Sequence, residues 1–127
     1  GSEANAGNVV RPEDKQNYTK LLAEFRSQLH AYGKLTHRKY QLTAFLPANP
    51  ATIDAGFEGG RIFRSLDFAT VQGYDFHVAG EPIANQQSAV RVPSGSPSNP
   101  DFSLALAVSA WRSRGAPAKK LVIGIPY

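Results

Sequence analysis

Three observations predict an α/β fold built on a parallel sheet. First, helical and extended patterns alternate along the 127 residues in the order helix, strand, short helix, strand, helix, strand, and strands that alternate with helices pair in parallel. Second, the three extended segments read as near-continuous apolar runs, the pattern of strands covered on both faces. Third, the segment Phe68–His77 begins with the β-formers Phe68, Thr70 and Val71 and ends in Gln72, Tyr74, Asp75 and His77. An apolar strand that turns polar at its C-terminal end marks the edge at which α/β sheets hold ligands.

Residues 1–10 are small and polar without periodicity and read as loop. Arg11-Pro12-Glu13-Asp14 opens a helix, with proline near the first helical position and two acids where the helix dipole favours them. Tyr18, Leu21, Leu22, Phe25 and Leu29 recur at helical spacing and predict one apolar face. Gly33 is a natural stop, so this helix is expected over residues 12–32. Residues 34–39 form a basic connector. Residues 40–46 predict the first strand, stopped by Pro47 and the Asn49-Pro50 pair. Residues 51–60, with Gly56, Gly59 and Gly60, read as a loop with room for one helical turn, and residues 61–66 as a short helix leading into the central strand.

Residues 78–100 are rich in Gly, Pro, Ser and Asn and exceed an ordinary connection in length. Two readings fit them, a functional wall or lid beside the polar strand end or a tolerated insertion. Asn99-Pro100-Asp101 opens a second clear helix, expected over residues 101–114, with Leu104, Ala107, Val108 and Trp111 as its buried stripe and Gly115 as its stop. Trp111 is expected to anchor the core on that stripe rather than to stack on a ligand. After a short connector, residues 121–127 read as the third strand.

The chain has the length of one domain and is too short for two. An apolar fraction of 42% and a charged fraction of 19% are globular values. The net charge of +4 comes from 14 basic and 10 acidic residues, but the cations are scattered in runs of no more than two, which argues against a nucleic-acid groove. There is no cysteine, so disulfides, thiolate nucleophiles and sulfur-ligated metals are excluded. No apolar run approaches the ~20 residues of a membrane span, and no signal-peptide pattern is read. A phosphate-cradling glycine motif, a metal-ligand cluster and a supported Ser-His-Asp set are all missing, and no cofactor or metal is expected. The chain contains no methionine, opens on Gly-Ser-Glu-Ala-Asn-Ala-Gly (a tag scar or the middle of a loop), and closes on a strand without a following helix. It is therefore expected to be a fragment.

Within the central strand, alternation predicts that Gln72 and Tyr74 point one way while Asp75 begins a second row with His77. These residues fit a ligand site, or a core strand whose Tyr and Asp are satisfied by neighbouring backbone. His77 has no partner evident in the sequence and is expected to be a structural hydrogen-bonder rather than a catalyst.

Four stretches carry a resemblance that spans nearly the whole chain. The run Arg-Pro-Glu-Asp-Lys-Gln-Asn-Tyr-Thr-Lys-Leu-Leu-Ala-Glu-Phe-Arg at 11–26 resembles the helix after the catalytic strand of bacterial family 18 glycoside hydrolases, the chitinases. Leu42-Thr-Ala-Phe-Leu-Pro-Ala is similar to their fifth barrel strand, Val71-Gln-Gly-Tyr-Asp-Phe-His to their sixth, and Lys120-Leu-Val-Ile-Gly-Ile-Pro-Tyr to their seventh. Each stretch alone is weak, but the four occur in the right order at fitting spacings. The resemblance implies a (β/α)8 TIM barrel, a fold of about 250 residues, of which residues 1–127 would be a single-domain fragment holding strands five to seven with their helices. The family signature Asp-x-x-Asp-x-Asp-x-Glu of strand four is absent from the sequence, as is the usual Trp of strand eight. The opening Gly1-Ser2-Glu3 matches the residues just after the signature Glu in relatives. The chain is thus expected to begin just downstream of its proton donor and to be inactive alone.

The mechanism implied by the resemblance is retaining and substrate-assisted, outside the two-carboxylate scheme. The Glu protonates the glycosidic oxygen, and the substrate's own N-acetyl oxygen attacks the anomeric carbon. At matching positions, Tyr74 is implied to hydrogen-bond the acetamido group, Asp75 to shape the sugar-binding floor near the acid, Gln72 to line the pocket beneath them, and Tyr127 to lie at the mouth of the seventh strand. Relatives often continue past the His with Gly-Ala-Trp. Here Val78-Ala79-Gly80 stands in that place, so an aromatic platform on the product side is not carried over.

The implied function is hydrolysis of β-1,4-linked N-acetylglucosamine polymers, with chitin or its oligomers as the partner and a secreted location. A non-catalytic chitin-binding lectin of the same lineage is the alternative, and a free-standing α/β domain with a small ligand is a third reading. Endo-N-acetylglucosaminidases share the fold and mechanism, which leaves the substrate open between the two activities. Three parallel strands with no charges or prolines placed to blunt their edges further predict a dimer, a complementing fragment or the remainder of a longer chain.

Overall fold

The computed structural model describes residues 6–97 and 102–127. Its elements are α1 (Asp14–Thr36), β1 (Thr43–Leu46), α2 (Pro50–Gly56), α3 (Gly59–Ile62), β2 (Phe68–Gln72), α4 (Leu104–Ser113), one 3-10 turn (Ala118–Lys120) and β3 (Leu121–Gly124). The strands form one parallel sheet in the order β1-β2-β3, with Leu46 opposite Val71 and Val71 opposite Ile123. This is the predicted alternation, arranged as a partial (β/α)8 barrel.

Helix α1 begins at Asp14, whose carboxylate accepts the Arg11 N–H at 2.9 Å and so shapes the turn before the helix. It runs past the expected stop because Gly33 stays helical and His37 takes the left-handed conformation instead, at φ 53°. The N–H groups of His37 and Arg38 both donate to the Gly33 carbonyl. A Cβ on Gly33 would stand 2.5 Å from the Arg38 carbonyl oxygen, so that glycine serves the close return of the chain rather than the stop. The predicted apolar face is also turned. Leu22 is buried and Tyr18 packs on the core, but Leu21 and Phe25 are about half exposed. The row that meets the rest of the molecule is Tyr18, Leu22 and Arg26, at successive spacings of four.

Arg26 explains why β1 begins later than expected, at Thr43 rather than Tyr40, while β2 and β3 begin at the expected Phe68 and Leu121. Its Nε donates to the Ser65 carbonyl at 2.8 Å, its Nη1 to the Tyr40 carbonyl at 3.2 Å, and its Nη2 pairs with Asp67 Oδ2. Asp67 Oδ2 also accepts the Leu42 N–H at 2.7 Å, and the Asp67 N–H donates to the Leu42 carbonyl at 2.9 Å. With Tyr40 and Leu42 so engaged, the ladder starts at Thr43 and Phe68. At the far end, Pro126 has no N–H to extend a ladder, and β3 closes at Gly124 instead of Tyr127.

The helices cover one face of the sheet, which corrects the expectation of two covered faces. Leu46, Ala69 and Val71 are fully buried in the core with Leu22, Ile53, Ile62 and Trp111, and Ala44, Leu121 and Ile123 pack against it. On the opposite face, Phe45 is 55% and Val122 46% exposed. The apolar runs are continuous because both faces are apolar, although only one is covered among the described residues.

The connecting segments are more helical than expected. Asn49 caps α2, its Oδ1 accepting the Ala51 N–H at 2.9 Å, with Pro50 at the first helical position. The pair read as a strand stop is therefore also a helix start. Helix α3 lies earlier than expected, because Gly59 and Gly60 press against the end of α4. The Gly60 N–H donates to the Arg114 carbonyl at 2.7 Å, and a Cβ on Gly59 would stand 2.4 Å from that oxygen. Helix α4 starts at Leu104 with Ser103 as its cap, and Gly115 ends it at φ 90°. The expected opening at residues 99–101 lies outside the described residues.

Trp111 is the core anchor that the stripe predicts. It is fully buried, meets Phe57 and Phe63 edge-on at 5.5 and 6.1 Å, and donates its Nε1–H to the Pro47 carbonyl at 2.8 Å. Replacing a buried aromatic by alanine removes about 3–5 kcal/mol, so Trp111→Ala is expected to lower the unfolding free energy from urea titration by that amount and to move the midpoint down accordingly. Trp111→Phe keeps a ring but strands the Pro47 carbonyl, and is expected to lose about 1–3 kcal/mol.

The Leu42 N–H and then Arg26 hold the Asp67 carboxyl below the usual range. A depressed folded value means that its contribution is full above the unfolded value, about 3.9, and is lost as pH falls through the folded one. Urea midpoints measured from pH 5 to pH 2 are expected to fall in wild type. Asp67→Asn is expected to start lower and to fall less over the same range.

Candidate functional site

Strands β1 and β2 end side by side, and the residues that come after them line a cleft of about 210 Å³ at the C-terminal edge of the sheet. Pro47 and Ala48 follow β1, Asn49 and Thr52 belong to the start of α2, and Gln72 is the last residue of β2. Tyr74, Asp75 and Phe76 come next, and Phe102 arrives from the segment before α4. Gln72, Tyr74 and Asp75 thus share one cleft. The expected split into two rows is corrected because β2 ends at Gln72 and Asp75 has a φ of 56°, a left-handed conformation that non-glycine residues take infrequently. That turn breaks the alternation and brings Asp75 beside Tyr74.

The glycine between strand and site is required by close approach. A Cβ on Gly73 would stand 2.2 Å from the Gly124 carbonyl oxygen and 2.3 Å from Leu104 Cδ2. The Tyr74 ring lies 6.3 Å from that of Phe45, which belongs to the uncovered face of the sheet. Phe76 turns the other way into the core, 6.3 Å from Phe102.

Residues 73–97 hold no helix or strand. Part of this long connection folds back along the site. Gln87 Nε2 donates to Asp75 Oδ1 at 3.1 Å, the Phe76 N–H donates to the Gln87 carbonyl at 3.0 Å, and the Ser88 hydroxyl donates to the Gly73 carbonyl. Beyond them, the Leu104 and Ala105 N–H groups donate to the carbonyls of Ala89 and Val90.

His77 lies outside the cleft and has the partner that the sequence did not reveal. Its Nδ1 is 2.8 Å from Glu81 Oε2, while Glu81 Oε1 accepts the Val78 N–H at 3.0 Å. The imidazole first, and the amide second, hold the Glu81 carboxyl below its usual range. Tyr127 is fully exposed beyond the end of β3 and does not line the cleft. The lining residues that sequence reasoning missed are Pro47, Ala48, Asn49, Thr52, Phe76 and Phe102. For those after β1 and β2 the signal was position, since both segments must border the same edge of a parallel sheet.

An amide, a phenol and a carboxylate around one small cleft supply donors and acceptors for a neutral polar ligand. These side chains are equipped to bind and orient such a ligand. Among the described residues, no three of His, Cys, Asp and Glu are grouped to hold a metal ion, and no helix is long and apolar enough to cross a membrane.

The family model of the glycosyl hydrolases family 18 matches residues 2–127. The chain is 36% identical over 126 residues to "Chitinase A1" of Niallia circulans, covering 95% of this chain and 18% of that protein. Among solved structures it resembles the catalytic domain of psychrophilic chitinase B from Arthrobacter TAD20, at a TM-score of 0.88 and 42% identity, covering 97% of this chain and 29% of that one. It also resembles chitinase ChiA74 from Bacillus thuringiensis, at a TM-score of 0.92 and 34% identity, covering 98% and 20%. The chain therefore spans less than a third of the length of each of these relatives.

Gly73→Ala tests the close approach that sets the site. Forcing a methyl group into backbone and a packed leucine costs about 1–3 kcal/mol. The substitution is expected to lower the unfolding free energy by that amount, read from a shifted denaturation midpoint, and to shift the amide resonances of Tyr74 and Asp75.

Proposed function

The chain belongs to glycosyl hydrolase family 18, and from that premise we propose that it is part of a (β/α)8 chitinase barrel that hydrolyses β-1,4-linked N-acetylglucosamine polymers. The observation that supports this most is the cleft at the C-terminal edge of β1 and β2, where Gln72, Tyr74 and Asp75 meet. That is the edge at which barrels of this type place their chemistry, and these residues match the motif of the family's sixth strand. In this reading the single domain of residues 1–127 supplies strands five to seven. The uncovered face bearing Phe45 and Val122 looks into the barrel, and the outer edges of β1 and β3 pair with further strands rather than with a dimer partner.

The proton donor is the Glu of the Asp-x-x-Asp-x-Asp-x-Glu strand, which these residues do not contain. The Tyr74 hydroxyl hydrogen-bonds the acetamido group of the sugar and holds its oxygen for attack on the anomeric carbon. Asp75 shapes the floor beside the acid, and Gln72 lines the pocket below. Tyr127, past β3 at the same edge of the sheet, contributes at the mouth of the seventh strand. The enzyme acts outside the cell, on chitin or its oligomers.

The test compares the 127-residue chain with the protein in its natural length on a chitin oligomer. The isolated chain is expected to release no product, and the natural protein to hydrolyse. One lost hydrogen bond to the transition state costs about 1 kcal/mol or somewhat more, so Tyr74→Phe is expected to lower kcat/KM about tenfold. Hydrolysis by the isolated chain, or an unchanged rate in Tyr74→Phe, counts against the assigned roles. Tight binding without cleavage by the natural protein would support the lectin alternative instead.

A further inference from the structure

The cleft residue with the least ordinary backbone is Asp75, at φ 56°. Conformations of this kind persist where the surroundings hold them, and they cluster at ligand sites. What holds Asp75 is a residue twelve positions later, Gln87, which grips the turn twice. Its side-chain Nε2 donates to Asp75 Oδ1 at 3.1 Å, and its backbone carbonyl accepts the Phe76 N–H at 3.0 Å.

Gln87 is itself firmly mounted, as the first residue of a four-residue strap. Ser88 binds the Gly73 carbonyl through its hydroxyl. The carbonyls of Ala89 and Val90 accept the N–H groups of Leu104 and Ala105 at 2.9 and 3.1 Å. These are the first amides of α4, and the first amides of a helix have no partner within it. The strap therefore supplies bonds that α4 requires, and α4 is in turn anchored by Trp111. Ala89 is buried, at 4% exposure. The long connection is thus tethered over residues 87–90, where it touches the site. Among the described residues nothing binds Asp75 Oδ2, so that oxygen is available to a ligand while Oδ1 is held by the Gln87 amide.

We propose that Gln87 is a positioning residue, whose amide sets the carboxylate of Asp75 so that a sugar entering the cleft meets an acceptor already oriented. The proposal rests on the sugar-binding reading of the cleft. Its physical content is pre-organisation, which strengthens binding by removing the cost of ordering the site when the ligand arrives.

Gln87→Glu tests the role, because it keeps the size of the side chain while exchanging the N–H donor for a carboxylate whose proton and charge are set by pH. Affinity for the N-acetylglucosamine dimer is measured by calorimetry on the protein in its natural length, at pH 7.5 and at pH 4. At pH 7.5 the introduced carboxylate faces Asp75 without a proton, and the variant is expected to bind about tenfold more weakly than wild type. As pH falls through the ordinary carboxylic range, about 4, the introduced group regains a proton and donates again. The ratio to wild type is then expected to narrow to about twofold or less. Wild-type affinity in the variant at pH 7.5 overturns the positioning role and leaves the sugar reading standing. An equal loss at both pH values also overturns it, since that is the signature of a loosened loop. Failure of the wild-type protein to bind the dimer at either pH removes the sugar reading, and the positioning role with it.

Discussion

The structure depends first on where the indole of Trp111 is placed. Its ring fills the space between α4 and the aromatic side chains of Phe57 and Phe63, and its N–H must find an acceptor because it is entirely buried. The acceptor is the carbonyl of Pro47, the first residue after β1 and part of the rim of the cleft. Packing of the helices and shape of the cleft are therefore coupled. The same helix fastens the connection after β2, since its first amides bond to Ala89 and Val90 while Gln87 and Ser88 reach Gly73, Asp75 and Phe76. A contact in the core thus reaches the polar end of the central strand through a short series of hydrogen bonds.

The two edges of the sheet are built by different means. At the N-terminal edge, cations satisfy backbone carbonyls and bind the elements together. Arg26 bridges Tyr40, Ser65 and Asp67, and Lys120 Nζ donates to the carbonyls of Phe63 and Leu66 at 2.7 and 2.6 Å. Arg26 is mostly buried, so its multiple bonds matter more than those of a free surface pair. The bidentate contact of Arg114 with Asp54 ties α4 to α2 at 2.6 and 2.7 Å, but its Asp54 side is exposed and the pair is weakened by solvent. At the C-terminal edge, by contrast, neutral donors and one carboxylate surround open space. That division between a stabilising end and a ligand-facing end is the one expected of parallel α/β barrels.

The uncovered face of the sheet follows from the same strands. Register puts Phe45 and Thr70 opposite Val122 on one face, and Leu46 and Val71 opposite Ile123 on the other. The helices choose the second face because the large side chains of Ile53, Ile62, Leu66 and Trp111 all project there. Half-exposed Phe45 and Val122 are then apolar groups facing space that further barrel strands would enclose. This arrangement gives physical content to the short span of the chain against its relatives.

Periodicity, proline and glycine placement, and the buried stripe of α4 were enough to determine the alternation of helices and strands, the parallel sheet, the anchoring Trp111, and a polar cluster at the end of the central strand. The elements and the buried stripe are local, so neighbouring residues specify them, and the parallel pairing follows from their alternation along the chain. The resemblance in four short runs added the barrel and the family. Only the structure decided that α1 passes Gly33, because the stop depends on His37 turning left-handed and on Arg38 folding back over the glycine. The late start of β1 likewise depends on Arg26 and Asp67, which are 41 residues apart. Asp75 lies beside Tyr74 instead of opposite it because Gln87 holds its turn from a distant loop. A pattern of alternating faces describes a strand only while its ladder lasts, and where β2 stops is set by residues outside it.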